Sequence, residues 1–494
     1  MTKPDISNST THSLGDLPSE EFRRFAHQLV DWIADYLEQI EKYPVLPDVA
    51  PGDIRTRLPS LPPTSGESME TILADVDRII LPGMTHWNHP NFFAYFSITG
   101  SGPGILGELL SAAFNINGML WKTCPSATEL EQVTLDWLRQ MLGLPKEFWG
   151  IIYDTASIST LHAIAAAREQ LMDLQIREQG LAGRAEVPRL RLYTSEQAHS
   201  SVDKAAIALG IGLAGVRKIP VDEGFRMQPK ALAQAISEDR RQGWRPFCVV
   251  ATVGTTSTTS IDPIPEIAEI CEREGLWLHV DGAYGGMAAV IPEMRHVLAG
   301  CDRADSLVTN PHKWLFVPVD LSAFYTRKPE ILRRAFSLVP EYLRTSQDHQ
   351  VENLMDYGVQ LGRRFRALKL WFVLRYFGWE GIAARIRKHI QLAQDFAAWI
   401  DTDPNFERMA PMPFSTICFR AHPPHMDQEE VLNHLNERLL EAINGTHEVF
   451  LSHTRLHNRY VLRLAIGNLR TEEKHVRRAW EVIQEKLKEV SSGY

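Results

Sequence analysis

The chain has 494 residues, 44% hydrophobic and 23% charged, values ordinary for a soluble globular protein of two or three packed units. A net charge of -9 argues against nucleic acid or an anionic membrane surface as the main partner. The five cysteines (Cys124, Cys248, Cys271, Cys301, Cys418) are odd in number and lack CxxC spacing, and neither a signal peptide nor a bilayer-length apolar run is read, so a cytoplasmic chain with no disulfide framework, metal site or membrane partner is expected.

Residues 1–17 read as a loosely held polar tail. From Ser19, a plausible N-cap, the stripe Phe22, Phe25, Leu29, Val30, Ile33, Leu37 and Ile40 predicts an amphipathic helix. The proline-dense stretch 44–68 predicts an extended connector without regular structure. A helix followed by such an arm cannot bury its own stripe, so residues 1–100 form a helical segment that packs on the rest of the chain or on a second subunit.

Between 101 and 375, helical periods at 127–144 and 160–174 alternate with apolar strands at 189–194, 248–253, 276–281, 306–310 and 321–326. That alternation predicts an α/β domain around a mostly parallel, doubly wound sheet, with ligands beyond the carboxyl ends of its strands. Residues 376–494 read as a smaller α+β domain, with helix around 380–402, strands at 415–421 and 461–467, and a last helix at 475–490.

The turns after those strands carry the chemistry. In SLVTNPHKWLF, Lys313 sits at the end of a buried strand, where an ammonium is costly without a partner or a covalent role. Asp281 ends another strand, in HVDGAYGG, and a carboxylate there needs a cation, although alone it reads as a helix cap or a structural ion pair. The loop VGTTSTTS is an ordinary hydroxyl-rich turn by itself. DTASIST places small and hydroxyl residues at a helix start, which suits simple capping or a phosphate. His199, in SEQAHSS, adds a flat group at a further strand end. A Schiff-base lysine, a carboxylate for a pyridine nitrogen, a stacking group and a phosphate-binding helix start are together the requirements of pyridoxal 5'-phosphate (PLP).

These segments, with LPGMTHWNHPNFFAYF, ATELEQVTLDWL and LGRRFRALKLWFVLR, resemble the PLP-dependent group II amino-acid decarboxylases, most closely the aromatic-L-amino-acid decarboxylases. The resemblance runs over nearly the whole chain and implies the aspartate-aminotransferase-like fold type I. It implies that Lys313 links covalently to PLP, Asp281 pairs with the pyridinium nitrogen and His199 stacks on the ring. Thr155, Ala156 and Ser157 would hold the phosphate with Asn310 and His312; Thr255 would lie on the side of the 3'-oxygen and Ala283 on the opposite ring face. Trp87, Tyr95 and Phe96 match positions lining the substrate pocket, and Met119 stands where animal relatives carry an aromatic reaching into a neighbouring subunit. Gly362 matches a glycine that leaves room for a bulky ring.

The resemblance also implies an obligate homodimer with exchanged N-terminal helices, and decarboxylation of tryptophan, tyrosine, phenylalanine or DOPA. Tyr342, in a segment that reads as a mobile loop, would protonate Cα to give the amine; relatives with phenylalanine there are aldehyde synthases. The alternatives are an aromatic aldehyde synthase (decarboxylation with oxidative deamination), decarboxylation of another amino acid and a silent PLP-binding scaffold. Asp154 and Ile158 depart from the glycine and glutamate common beside the phosphate segment.

Overall fold

The computed structural model describes residues 15–338, 350–424 and 426–491. Most of the polar tail and the whole Tyr342 segment, 339–349, lie outside the described residues. Seven strands form the larger sheet: β1 (Trp149–Tyr153), β2 (Leu190–Ser195), β3 (Val216–Ile219), β4 (Arg245–Thr252), β5 (Trp277–Asp281), β6 (Ser306–Thr309) and β7 (Ser322–Thr326), in the order β1-β7-β6-β5-β4-β2-β3. β3, β2, β4, β5 and β6 run parallel, while β7 is antiparallel to both β6 and β1. The sheet is therefore mostly parallel, as the alternating pattern predicts. β5, β6 and β7 are buried along their whole length, which is why they read as continuous apolar runs rather than as alternation.

β1 and β3 were not anticipated from the sequence. β3 is an edge strand of four residues with Arg217 and Lys218 in it, and β1 is half-buried at its first two positions. The helix predicted at 127–144 is Pro125–Leu142, closed by Gly143 at φ 72°, and the one predicted at 160–174 is Ala156–Glu169.

A second, four-stranded antiparallel sheet holds β8 (Phe406–Arg408), β9 (Thr416–Ala421), β10 (Ser452–Leu456) and β11 (Arg459–Ala465), in the order β10-β11-β9-β8. The helices Glu429–Asn444 and Glu473–Ser491 pack with it around Phe396, Phe419, Leu435, Leu462 and Ile483. The helix Arg366–Thr402 joins the two sheets and breaks at Gly378, whose φ is 65°.

Two expectations for the N-terminal segment need correction. Ser19 is the first residue of the helix Ser19–Glu38 and makes no capping bond; Pro18 precedes it. The proline-rich arm is not wholly irregular, since Asp53–Arg57 forms a short helix whose Asp53 Oδ2 accepts from the Ala50 N–H at 2.8 Å. Of the first helix's stripe, Phe25 is buried, whereas Phe22 is 62% exposed and Leu29 and Val30 are also open. Among the described residues no helix is long and apolar enough to cross a membrane.

Candidate active site

A cavity of about 440 Å³ opens at the carboxyl ends of the strands of the larger sheet, with β10 and β11 of the smaller sheet closing one side. β1 runs in the same direction as β6, so the start of the helix Ala156–Glu169 reaches the same rim as the ends of β2, β4, β5 and β6. This is the placement expected of a doubly wound sheet.

Asp281 ends β5, is buried, and accepts from the Ala283 N–H at 3.1 Å. The Ala283 carbonyl in turn accepts from Asn310 N at 3.1 Å, which fixes the β5 and β6 turns against each other. Lys313 follows on the short helix Pro311–Trp314, with its N–H bonded to the Asn310 carbonyl at 2.9 Å. Its ammonium lies 5.2 Å from the Phe96 ring centre. Burial lowers the Lys313 pKa, Asp281 acts in the opposite sense, and Arg463 adds to the lowering. Among the described residues neither Lys313 nor Asp281 forms an ion pair.

His312 is buried and held: its Nδ1 accepts from Leu321 N at 2.9 Å, which leaves Nε2 as the donor in the neutral ring. Burial and the neighbouring Lys313 push its pKa down to about 3. His199 stands after β2 and accepts from Ser201 N through Nδ1 at 3.1 Å. Desolvation lowers its pKa, with Asp281 opposing and Lys313 assisting.

The cavity gathers Trp87, Tyr95, Phe96, Thr155, Ala156, Ser157, His199, Asp281, Ala283, Asn310, His312 and Lys313. These twelve sequence-selected residues come from six separate stretches of chain. Thr255 is not on the wall. Its hydroxyl is buried within its own loop, 3.0 Å from Thr258 Oγ1 and accepting from Ser260 N at 3.0 Å, while Gly254, Thr256 and Ser257 face the cavity. That loop approaches the β5 turn very closely: a Cβ on Gly285 would fall 2.6 Å from the Val253 carbonyl oxygen. Met119 and Gly362 lie away from the cavity. Met119 packs by Leu120 and Met355, and both Met119 and Gly362 neighbour Asn117.

Aromatic side chains build the opposite wall. Phe96 stacks on Tyr284 with ring centres 4.0 Å apart, and Tyr284 stacks on Trp314 at 4.7 Å. Trp87 and Tyr95 are stacked at 5.9 Å. The Tyr284 hydroxyl is 2.7 Å from Ser415 Oγ, and burial raises its pKa to about 12.

Sequence reasoning missed Arg463, on β11. It is 4% exposed and lies over Phe96 at 4.5 Å. Nε donates to the Ser257 carbonyl at 2.9 Å and Nη1 to the Tyr95 carbonyl, while among the described residues Nη2 has no hydrogen-bond partner. Among the described residues it has no carboxylate partner either. Its signal was available in RYVLRLA, where one arginine interrupts an apolar strand.

The pyridoxal-dependent decarboxylase conserved domain matches residues 51–422. The aromatic-L-amino-acid decarboxylase of Bos taurus is 45% identical, over 94% of this chain and 96% of its own length. A phenylacetaldehyde synthase of Arabidopsis thaliana is 40% identical, over 97% of this chain and 98% of its own. The crystal structure of Oryza sativa TDC with PLP and tryptamine superposes with a TM-score of 0.92 at 37% identity, covering 97% of this chain and 99% of that one. With a cavity of this composition and a match spanning most of its length, the chain belongs to the pyridoxal-dependent decarboxylase family.

Proposed function

We propose that this PLP-dependent carboxy-lyase acts on an aromatic L-amino acid of the tryptophan, tyrosine, phenylalanine or DOPA class and releases CO2 and the arylalkylamine. The observation that carries the reading is the aromatic wall of Trp87, Tyr95 and Phe96 on the cavity that also holds Lys313 and Asp281. The residues present suit the cofactor: among the described residues, the half-buried Lys313 and the buried Asp281 carboxylate stand there without ion-pair partners, and the buried Asn310 Oδ1 and Thr252 Oγ1 atoms have no hydrogen-bond partner.

When bound, PLP supplies an electron sink for the pair left on Cα as CO2 departs. Lys313 is the amine that holds it covalently, and its lowered pKa favours the neutral nucleophile. Asp281 would keep the ring nitrogen protonated, and His199 and Ala283 would enclose the ring. Thr155, Ala156 and Ser157 hold the phosphate with Asn310 and His312. Thr255 acts indirectly, by fixing the loop whose neighbours face the 3'-oxygen side. Arg463 Nη2 is the free donor for the substrate's carboxylate. The Tyr342 hydroxyl delivers the proton to Cα, which gives amine rather than aldehyde.

The assembly belongs to the same proposal. The open faces of Phe22, Leu29 and Val30 and of Leu106, Leu109 and Phe114 suit a second copy of the chain. In a homodimer Met119 and Gly362 would contribute to the partner's pocket. Five unpaired cysteines suit a reducing cytoplasm.

A panel of aromatic L-amino acids, with amine, aldehyde and CO2 all quantified, tests the proposal. Stoichiometric amine and CO2 from at least one substrate is expected, and no amine from any of them overturns it. Peroxide and ammonia in step with CO2 would favour the aldehyde-forming reading, which the similarity to a phenylacetaldehyde synthase keeps in view.

A further inference from the structure

Asp154 follows β1 directly and precedes the helix Ala156–Glu169. Its Oδ1 accepts from Thr155 N at 2.6 Å and from Thr155 Oγ1 at 3.2 Å. Both donors that Thr155 could turn toward a phosphate are thus engaged by a carboxylate of the chain itself. The other oxygen, Oδ2, accepts from Gln360 Nε2 at 3.1 Å.

Gln360 is itself fixed. The stretch 357–363 is fastened along the end of β1. The Tyr153 hydroxyl donates to the Tyr357 carbonyl, and Val359 N donates to His162 Nε2 at 3.1 Å. Arg363 Nη2 donates to Glu131 at 2.7 Å and to the Ile152 carbonyl at 2.8 Å. Glu131, buried, accepts from Ile152 N at 2.8 Å. The Asp154 carboxylate is therefore held beside the helix start rather than left free to swing into solvent.

We propose that Asp154 competes with the cofactor phosphate for Thr155, so that this chain grips PLP more loosely than its phosphate-binding segment alone would allow, with Gln360 holding the competitor in place. The inference rests on the reading that this helix start receives the phosphate. Two effects add: the Thr155 donors must be surrendered, and a carboxylate stays within a few ångströms of a dianion.

The test compares the full-length wild type with Asp154→Asn and Asp154→Gly, titrating each with PLP and with pyridoxal, which lacks the phosphate. Binding is followed by visible absorption and by cofactor loss on dialysis. Both variants should bind PLP about five- to tenfold more tightly, a size set by Coulomb repulsion at a partly solvated site. Pyridoxal affinity should not change. Unchanged or weaker PLP binding in the variant that folds overturns the proposal, as does an equal shift for pyridoxal. Wild-type protein that binds PLP and pyridoxal equally would instead remove the phosphate reading on which the proposal stands.

Discussion

At Lys313 burial works against the ammonium, and the nearby Asp281 carboxylate only partly offsets it. Arg463 faces a similar penalty and, among the described residues, has no carboxylate partner, retaining two carbonyls and the Phe96 face. A buried guanidinium with a free nitrogen is costly in the empty cavity and valuable once an anion arrives. Arg463→Met should therefore raise KM about ten- to a hundredfold, the worth of one charge-assisted bond, while leaving thermal stability unchanged or improved. Steady-state kinetics with a melting curve checks both halves; a large loss of stability at unchanged KM would make Arg463 structural. Tyr342→Phe should keep CO2 release and move product from amine to aldehyde, read by quantifying both. An unchanged ratio would assign the proton to another group.

Lys313 and Asp281 were legible because a polar residue closing a buried apolar strand is conspicuous. Arg463 was passed over because β11 lies about 150 residues later and its direction depends on how the small sheet docks.

Among the elements, the helix Gly102–Phe114 lies against Arg366–Thr402 at a contact that admits no side chain. A Cβ on Gly107 would stand 2.7 Å from the Lys369 Cα. Lys369 is itself 1% exposed and paired to Glu108 at 3.0 Å. Gly107→Ala should thus push two helices apart and cost about 1–3 kcal/mol, against the small gain in helix propensity that alanine brings. Chemical denaturation measures it, and a neutral result would show that the helices separate freely. The strands of the larger sheet were legible where both faces are covered. β1 and β3 escaped notice because short, partly exposed strands carry little pattern.

For the whole molecule, three histidines far from solvent contribute to its acid response in the same sense as His312 and His89. His162, His279 and His389 are at most 2% exposed, and burial depresses them from 6.5 to about 3, 4 and 4. A folded-state pKa below the unfolded one means that folding binds fewer protons. The contribution is complete above the unfolded pKa and is lost as pH falls toward the folded values. The unfolding midpoint should drop progressively from pH ~6.5 to ~4, at up to about 1.4 kcal/mol per pH unit for each histidine. Calorimetry across that range checks it, and a flat midpoint contradicts it. The exposed leucines of the helix Gly102–Phe114 belong to the same scale. Sedimentation should show a species of twice 56.0 kDa, and Leu106→Glu with Leu109→Glu should return it to monomer. Wild type sedimenting as a monomer would remove the proposed assembly.

By itself the sequence determined the alternating α/β order and the polar groups Lys313, Asp281 and His199, because strand ends are local features of pattern and polarity; the resemblance added the other nine of the twelve cavity residues selected. Only the tertiary structure decided that twelve of those groups share one cavity, that Thr255 turns inward, and that Arg463 lies over Phe96 with Nη2 unpartnered among the described residues. The first and last of these depend on contacts between stretches far apart in the chain, and no periodicity in the chain records which of them meet.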